Sequence, residues 1–436
     1  MKLRTIIFVF VILFAGYAFS QTDEEIFQDF QFNFAPPGAR ALGMGKAFIA
    51  LADDATAAET NPAGLTTLET PEFSFEYKNT DITIERFAAA DSLYTRVPSE
   101  FGSRLNTASF ISFFFPYKNL HFAIFRHQFL NLKDEFQFEK RLIPGFNWAY
   151  YPVTSSMSFK GANYGIAMAA VAGNLSLGIS VKLSTLDAEA KTFREYFYYE
   201  SSPEGLAKGN ETIIDDSDLD YSVSTGLIWK IKNSFSLGAI YTRAPKFKIQ
   251  EDFGYVLLND EFVSYGASEN KRFPTNIFIN VPDKYGIGVA FRPMESLTVA
   301  TDVVRIKYSQ LVDNFKIIFG GKEYMQPSDY VIDDATELHA GAEYVMFIGK
   351  MPVAIRGGVF TDPDHKIKFV NPNISNAIAQ INAKFEEIFW NLAERNTSVG
   401  FTIGGGIVLQ QHLQLDFAFM TSDLIKEFSA STVVRF

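Results

Sequence analysis

The spacing of apolar residues constrains this chain more than any other feature. Reading for an apolar residue at every second position gives about fourteen strand-like segments. They cover residues 72–77, 107–116, 121–129, 164–172, 175–185, 220–231, 235–246, 283–292, 297–307, 337–346, 352–360, 397–409, 413–420 and 429–436. In one of them Leu413, Leu415, Phe417 and Phe419 share a face, with Gln414, Asp416 and Ala418 on the other. Short connections at 118–120, 173–174, 232–234, 293–296 and 410–412 alternate with long ones, of about thirty residues except at 421–428. A compact soluble domain rarely carries several structureless loops longer than about 15 residues. Short turns at one end and long loops at the other are the asymmetry of a membrane-spanning antiparallel β-barrel, apolar faces to lipid and polar faces to the lumen. The fold class expected is therefore all-β, a closed transmembrane barrel of about fourteen strands.

The bulk properties agree with that expectation. Mean hydropathy is +0.02, yet aromatics make up 15% of the chain, as a barrel with aromatic girdles requires. Residues 1–20 read as a secretory signal. Lys2 and Arg4 precede an apolar run, and Ala18-Phe19-Ser20 forms a small-x-small cleavage site. That run is shorter than the roughly 20 residues a spanning helix needs. An exported chain without cysteine places no reliance on disulfides. A net charge of −11 argues against nucleic acid as a partner, because phosphate recognition needs clustered Lys and Arg.

Between the signal and the first strand lies GARALGMGKAFIALADDATAAETNPAGL, residues 38–65. Its glycines allow close turns, its alanines pack in a narrow space, and the proline of Asn61-Pro62-Ala63-Gly64 stops any preceding helix. Such a segment suits a plug better than a spanning element. Gly43-Met44-Gly45, Ala52-Asp53-Asp54-Ala55 and Asn61-Pro62-Ala63-Gly64-Leu65, in that order, resemble the N-terminal hatch of the FadL/OmpP1/TodX family of outer-membrane transporters for hydrophobic compounds. Val281-Pro282-Asp283-Lys284-Tyr285-Gly286-Ile287-Gly288 is similar to that family's central hairpin, and Glu337–Asp364 to a later one. The resemblance implies three regions: a signal at 1–20, a hatch filling the lumen at 21–70, and a barrel at 71–436. It also implies a bacterial outer-membrane location. Passive uptake of hydrophobic compounds, long-chain fatty acids or aromatic hydrocarbons, is the implied function, with Gly43, Gly45, Asn61, Pro62 and Ala63 at the gate. A related group of FadL-like barrels serves protein secretion as cargo shuttle or scaffold, and that is the alternative.

The terminal Phe436, with Thr432 and Val434 on one face, looks like the signal by which the barrel-assembly machinery recognises such chains. Arg292 and Arg356, with Asp302 and Glu343, carry charge in strands whose alternate residues are apolar or small, so they should point into the lumen. They form either a network tying hatch to wall or, for the two arginines, a bidentate contact to a ligand carboxylate. Asp215-Asp216-Ser217-Asp218 and Asp362-Pro363-Asp364 read as solvated loop clusters whose basic neighbours meet lipopolysaccharide phosphates. Ile374, Ile378, Ile381, Phe385, Ile388, Phe389 and Leu392 lie at helical spacing, for a loop helix on the rim or one wall of an external groove. Five scattered histidines make no metal pair and no GxSxG elbow marks a nucleophile. No cofactor, metal site or enzymatic activity is expected; the remaining enzymatic option, an outer-membrane hydrolase, would need a triad assembled across strands.

Overall fold

The computed structural model describes residues 32, 34–87, 96–138, 141–142, 149–150, 153–195, 207–257, 262–264, 275–313, 318–319, 322–323, 330–363, 365, 367–370 and 397–436. The secretory signal and the helical pattern at 374–392 lie outside them.

Sixteen long strand segments build the wall. They are β1 (Glu72–Phe87), β2 (Arg96–Tyr117), β3 (Leu120–Phe138), β4 (Val153–Ala172), β5 (Leu175–Glu195), β6 (Ala207–Lys232), β7 (Phe235–Arg243), β8 (Lys246–Leu257), β9 (Thr275–Asn280), β10 (Lys284–Met294), β11 (Leu297–Ile306), β12 (Ala335–Ile348), β13 (Met351–Asp362), β14 (Ser398–Leu409), β15 (Leu413–Thr421) and β16 (Ile425–Arg435). β7 and β8 form one stave broken at Ala244-Pro245, and β9 and β10 one broken at Val281-Pro282-Asp283, so the staves number fourteen. Proline has no amide to give a ladder, which is why both breaks fall where they do. Every neighbouring pair is antiparallel, and β1 pairs with β16 from Glu72↔Arg435 to Ile82↔Ile425, which closes the barrel.

Period two decides what faces where. Ile111, Ile166, Leu177, Val181, Ile287 and Phe417 are exposed on the outer surface, whereas Ser180, Lys182, Ser222, Ser224 and Ser429 are buried inside. Apolar outside and polar inside is the inversion that lipid imposes, since closure satisfies every ladder and leaves no edge in hydrocarbon. Tyr77, Tyr164, Tyr221, Tyr241 and Tyr285 are outward and exposed, at the level where polar outward residues begin. Amphipathic rings belong at that boundary.

Two expectations change. The strands run well past the lipid boundary: β3 continues to Phe138, and β6 begins at Ala207 rather than near residue 220. Much of the sequence read as long loops is therefore hairpin. Alternation there pairs short polar residues with apolar ones and loses the lipid-facing signature. For the same reason Asp215, Asp216 and Asp218 do not lie in a solvated loop but in β6, paired across to β5.

The segment from Ala39 to Thr67 folds inside the lower lumen as α1 (Ala39–Gly43), α2 (Ala57–Thr60) and a 3₁₀ turn (Pro62–Thr67). Its apolar residues, Phe48 and Leu65 among them, pack with Phe110, Phe114, Ala123, Ala167 and Ala300 of the wall. This is the hatch.

Candidate functional site: an apolar upper lumen above a docked hatch

The hatch is held by hydrogen bonds to inward-facing short polar residues. The Asp302 carboxylate on β11 accepts from the amides of Phe48 (2.7 Å) and Ile49 (2.9 Å). Thr402 accepts from the Gly45 amide at 3.0 Å and donates to the Gly43 carbonyl at 3.1 Å. Ser180 and Ser236 donate to the carbonyls of Ala58 and Ala50. Gly45 has φ +63°, and a Cβ there would sit 2.5 Å from the Ala340 carbonyl, so both conformation and contact require glycine.

Asn61 is fully buried and does three things at once. Its Nδ2 donates to the carbonyls of Ile49 (2.8 Å) and Leu227 (3.3 Å), and its Oδ1 accepts from the Ala63 amide (3.2 Å). The last contact caps the 3₁₀ turn, whose first position is Pro62. A Cβ on Gly226 would lie 1.9 Å from Asn61 Oδ1, so β6 is bare there to let the hatch lie flat against it.

Charge fixes the hatch at two further points. Arg40 on α1 donates to both Glu343 oxygens at 2.9 Å and to Asp53 at 2.6 Å. Glu343 also receives Arg356 (2.6 Å), which reaches Asp416 at 2.7 Å, while Arg292 pairs with Asp53 at 3.3 Å. Both sequence-flagged arginines thus point to carboxylates of the hatch–wall network. On the opposite wall Glu59 of α2 meets Lys182 of β5 at 3.1 Å and His127 of β3 at 3.5 Å. Burial alone would push the Glu59 carboxyl up, but Lys182 and His127 outweigh it and hold it at about 2. Asp54 goes the other way: burial raises it, against the pull of Arg40 and Thr56.

Above the hatch the lumen changes character. Phe129, Leu132, Phe159, Leu186, Phe247, Ile279, Ile306 and Tyr308 belong to one buried apolar cluster, with Phe32 and Phe34 packed in from the segment before α1. At its floor stands Lys284, whose ammonium donates to the Phe34 carbonyl at 3.5 Å. Lys46 lies over the Phe360 ring at 3.9 Å. Among the described residues neither lysine has a carboxylate within ion-pair distance. Sequence reasoning passed over Glu59, Lys182, Lys284 and His127. For the three wall residues the available signal was charge on the inward face of an otherwise apolar strand, the argument that did place Asp302 and Glu343; Glu59, on α2, carried no such signal.

The wall is not continuously laddered. β2 pairs with β3 only from Tyr117↔Leu120 to Phe110↔His127; beyond that β2 stays with β1 and β3 with β4. Arg126 donating to the Ala108 carbonyl (2.6 Å) and a Thr107–Gln128 contact cross the parting. At the closing seam Phe436 is exposed beside Phe113, and its amide donates to the Pro71 carbonyl at 3.0 Å.

A closed fourteen-stave barrel with an apolar outer belt and an internal hatch defines a bacterial outer-membrane channel of the plugged kind. Residues 32–364 match the family described as outer membrane protein transport protein (OMPP1/FadL/TodX), and the chain belongs to that family. The fold is similar to that of the Ralstonia pickettii toluene transporter TbuX, at 15% identity and TM-score 0.61, covering 93% of this chain and 99% of that one. A Pseudomonas aeruginosa FadL homologue gives 13% identity and TM-score 0.62, with the same coverage. The Pseudomonas putida toluene transporter TodX gives 13% identity and TM-score 0.53, covering 92% and 97%. No curated protein matches the chain by sequence.

Proposed function

We propose that this channel takes up hydrophobic compounds passively, long-chain fatty acids or aromatic hydrocarbons, through a lumen gated by its hatch. The supporting observation is the two-tier lumen, in which a buried apolar tier rests on a floor held by discrete hydrogen bonds and ion pairs. Apolar surface leaving water there contributes roughly 25 cal/mol per Å². The floor can be released by breaking a few contacts. In this reading residues 21–70 are the hatch and 71–436 the barrel, behind a signal at 1–20, and Gly43, Gly45, Asn61, Pro62 and Ala63 form the gate.

Arg292 and Arg356 act as hatch tethers in this account, because each already holds a carboxylate. Lys284 is the better-placed cation for an acid-headed ligand. Phe436, exposed at the final strand, serves recognition by the assembly machinery, and outward arginines such as Arg126 and Arg243 face lipopolysaccharide.

The test is mass spectrometry of apolar molecules released from the purified protein, paired with uptake of a pyrene-labelled fatty acid into proteoliposomes. A bound amphiphile or hydrocarbon and protein-dependent uptake are expected. A barrel that carries no apolar load, takes up nothing, and instead co-purifies with a secreted protein would support the secretion alternative.

A further inference from the structure

β1 and β16 are the two neighbours in the wall that no loop connects, since they stand at opposite ends of the chain. Where a short turn joins two staves it helps fix their register; here only side chains can do so. A slip of one residue would turn the lipid-facing set of β16 inward and is excluded by the apolar pattern. A slip of two keeps every face as it is, so burial of apolar surface does not discriminate against it. At this seam the inward residues are all polar: Glu72, Ser74, Glu76, Lys78 and Thr80 on β1, and Glu427, Ser429 and Ser431 on β16. The staves on either side turn Phe110 and Phe114, or Ala418 and Met420, into the lumen.

These polar groups lace the seam. Glu76 is fully buried, and its two oxygens accept from Ser429 on β16 and Ser109 on β2, each at 2.7 Å. Buried Lys78 reaches Glu427 at 3.0 Å, and Thr80 donates to the other Glu427 oxygen at 3.1 Å. Arg435 donates to Glu72 at 2.8 Å. Moving β16 by two residues one way sets Glu76 opposite Val433 and Glu427 opposite Ile82. The other way sets Glu72 opposite Val433 and leaves Arg435 beyond the start of β1. Either slip strips a buried carboxylate of its partner, which is strongly destabilising. The hatch depends on the same register. Its Ala39 amide donates to Ser431 on β16 (3.2 Å), while its Ala55 carbonyl accepts from Ser112 on β2 (3.3 Å). A two-residue slip displaces these two anchors from each other by roughly 7 Å.

We propose that this buried lacing is a register key, which admits one alignment of the first stave against the last and thereby sets the seat on which the hatch docks. Buried charge pairs that add little net stability can still select one register among near-equals. The key acts through what the wrong alignments leave unpaired. It holds whatever the channel carries.

The chain has no cysteine, so disulfides can report the alignment. Asn79 and Phe428 lie opposite each other on the outer face, and N79C/F428C should oxidise in the keyed register. N79C/A430C and N79C/K426C report the two slips, because diagonal partners lie beyond the roughly 4 Å Cβ separation a disulfide needs. In the otherwise native protein the first pair should dominate. In the neutral background E72Q/E76Q/K78M/E427Q a slip reporter should rise at least tenfold relative to the native pair, and the slipped fraction should lose protease protection of its hatch. Native pairing alone in that background, with the hatch protected, overturns the key. If the quadruple variant yields no heat-modifiable barrel, E427K and K78E/E427K decide the matter. E427K sets two ammonium groups together and should lower the yield of closed barrel at least tenfold, and the exchanged pair should restore it. Equal yields for these two variants overturn the key as well.

Discussion

Replacing Asn61 by alanine removes the side chain that joins the middle of the hatch, its final turn and the wall. The substitution strips a buried donor from the Ile49 carbonyl and a buried acceptor from the Ala63 amide, and deletes the cap of the 3₁₀ turn. Each orphaned group costs about 1–3 kcal/mol where water cannot reach it. Because the barrel ladders are untouched, the loss of about 2–6 kcal/mol falls on hatch docking. At about 1.4 kcal/mol per tenfold, the ratio of undocked to docked hatch rises roughly 30- to 20,000-fold. The assay is single-channel conductance in planar bilayers, with protease protection of the hatch as an independent readout. Frequent openings, rare in the parent, and faster cleavage within residues 38–68 are expected, with heat-modifiable mobility retained. Parental conductance and protection in N61A would refute the argument that these hydrogen bonds hold the gate.

Gly226→Leu forces a side chain into the space of Asn61 Oδ1 and should raise conductance as N61A does, whereas Gly173→Ala, in an open turn, should not. Glu59, whose carboxyl lies at about 2 against an ordinary 4.5, stabilises docking fully above pH 4.5. That contribution is lost as pH falls from 4.5 to 2, so hatch openings should increase over this window, and Glu59→Gln should abolish the acid response while opening the channel at neutral pH. Asp54, with a raised carboxyl, has the opposite sign, and Asp54→Asn should steady the hatch at neutral pH, read as fewer openings. Lys284→Met should weaken binding of a long-chain fatty acid by about 10- to 150-fold, the range for a charge-assisted hydrogen bond of about 1.5–3 kcal/mol, and leave toluene binding unchanged. Equal losses for both ligands in a binding titration would remove Lys284 from head-group recognition. Deleting Phe436 should lower the amount of heat-modifiable barrel in the membrane, measured by gel shift.

The lipid-facing half of the fold could be read from alternation because lipid makes period two strict. From Leu413 to Phe419 every second residue is apolar, and from Leu297 to Val303 only Thr301 interrupts the outward apolar series. Beyond the headgroups that demand lapses, which is why the outer halves of β3 to β6 escaped notice. The hatch was legible from Gly43 to Leu65 because close packing against the wall admits only small residues and a proline-stopped turn. Its partners were partly legible: Asp302, Glu343, Arg292 and Arg356 stood out as charges in apolar strands. Interruptions of the ladder were hidden. The Asp216, Asp218 and Asp220 spacing is that of any exposed strand, and only the positions of Lys246, Lys248 and Gln250 reveal that these carboxylates accept from those three amides.

The pairing of β1 with β16 bears on biogenesis. The first stave has no partner on one side until the last one arrives, so the cylinder cannot shut while translocation is incomplete. The residues immediately ahead of β1 end up enclosed, and they cannot be threaded in afterwards through a finished wall without unfolding it. The stopper must already be seated, or at least cradled between the two open edges, when those edges zip. Its contacts with inward serines and glycines are then part of the assembly template, and variants that loosen it should accumulate late intermediates with the final suture unmade.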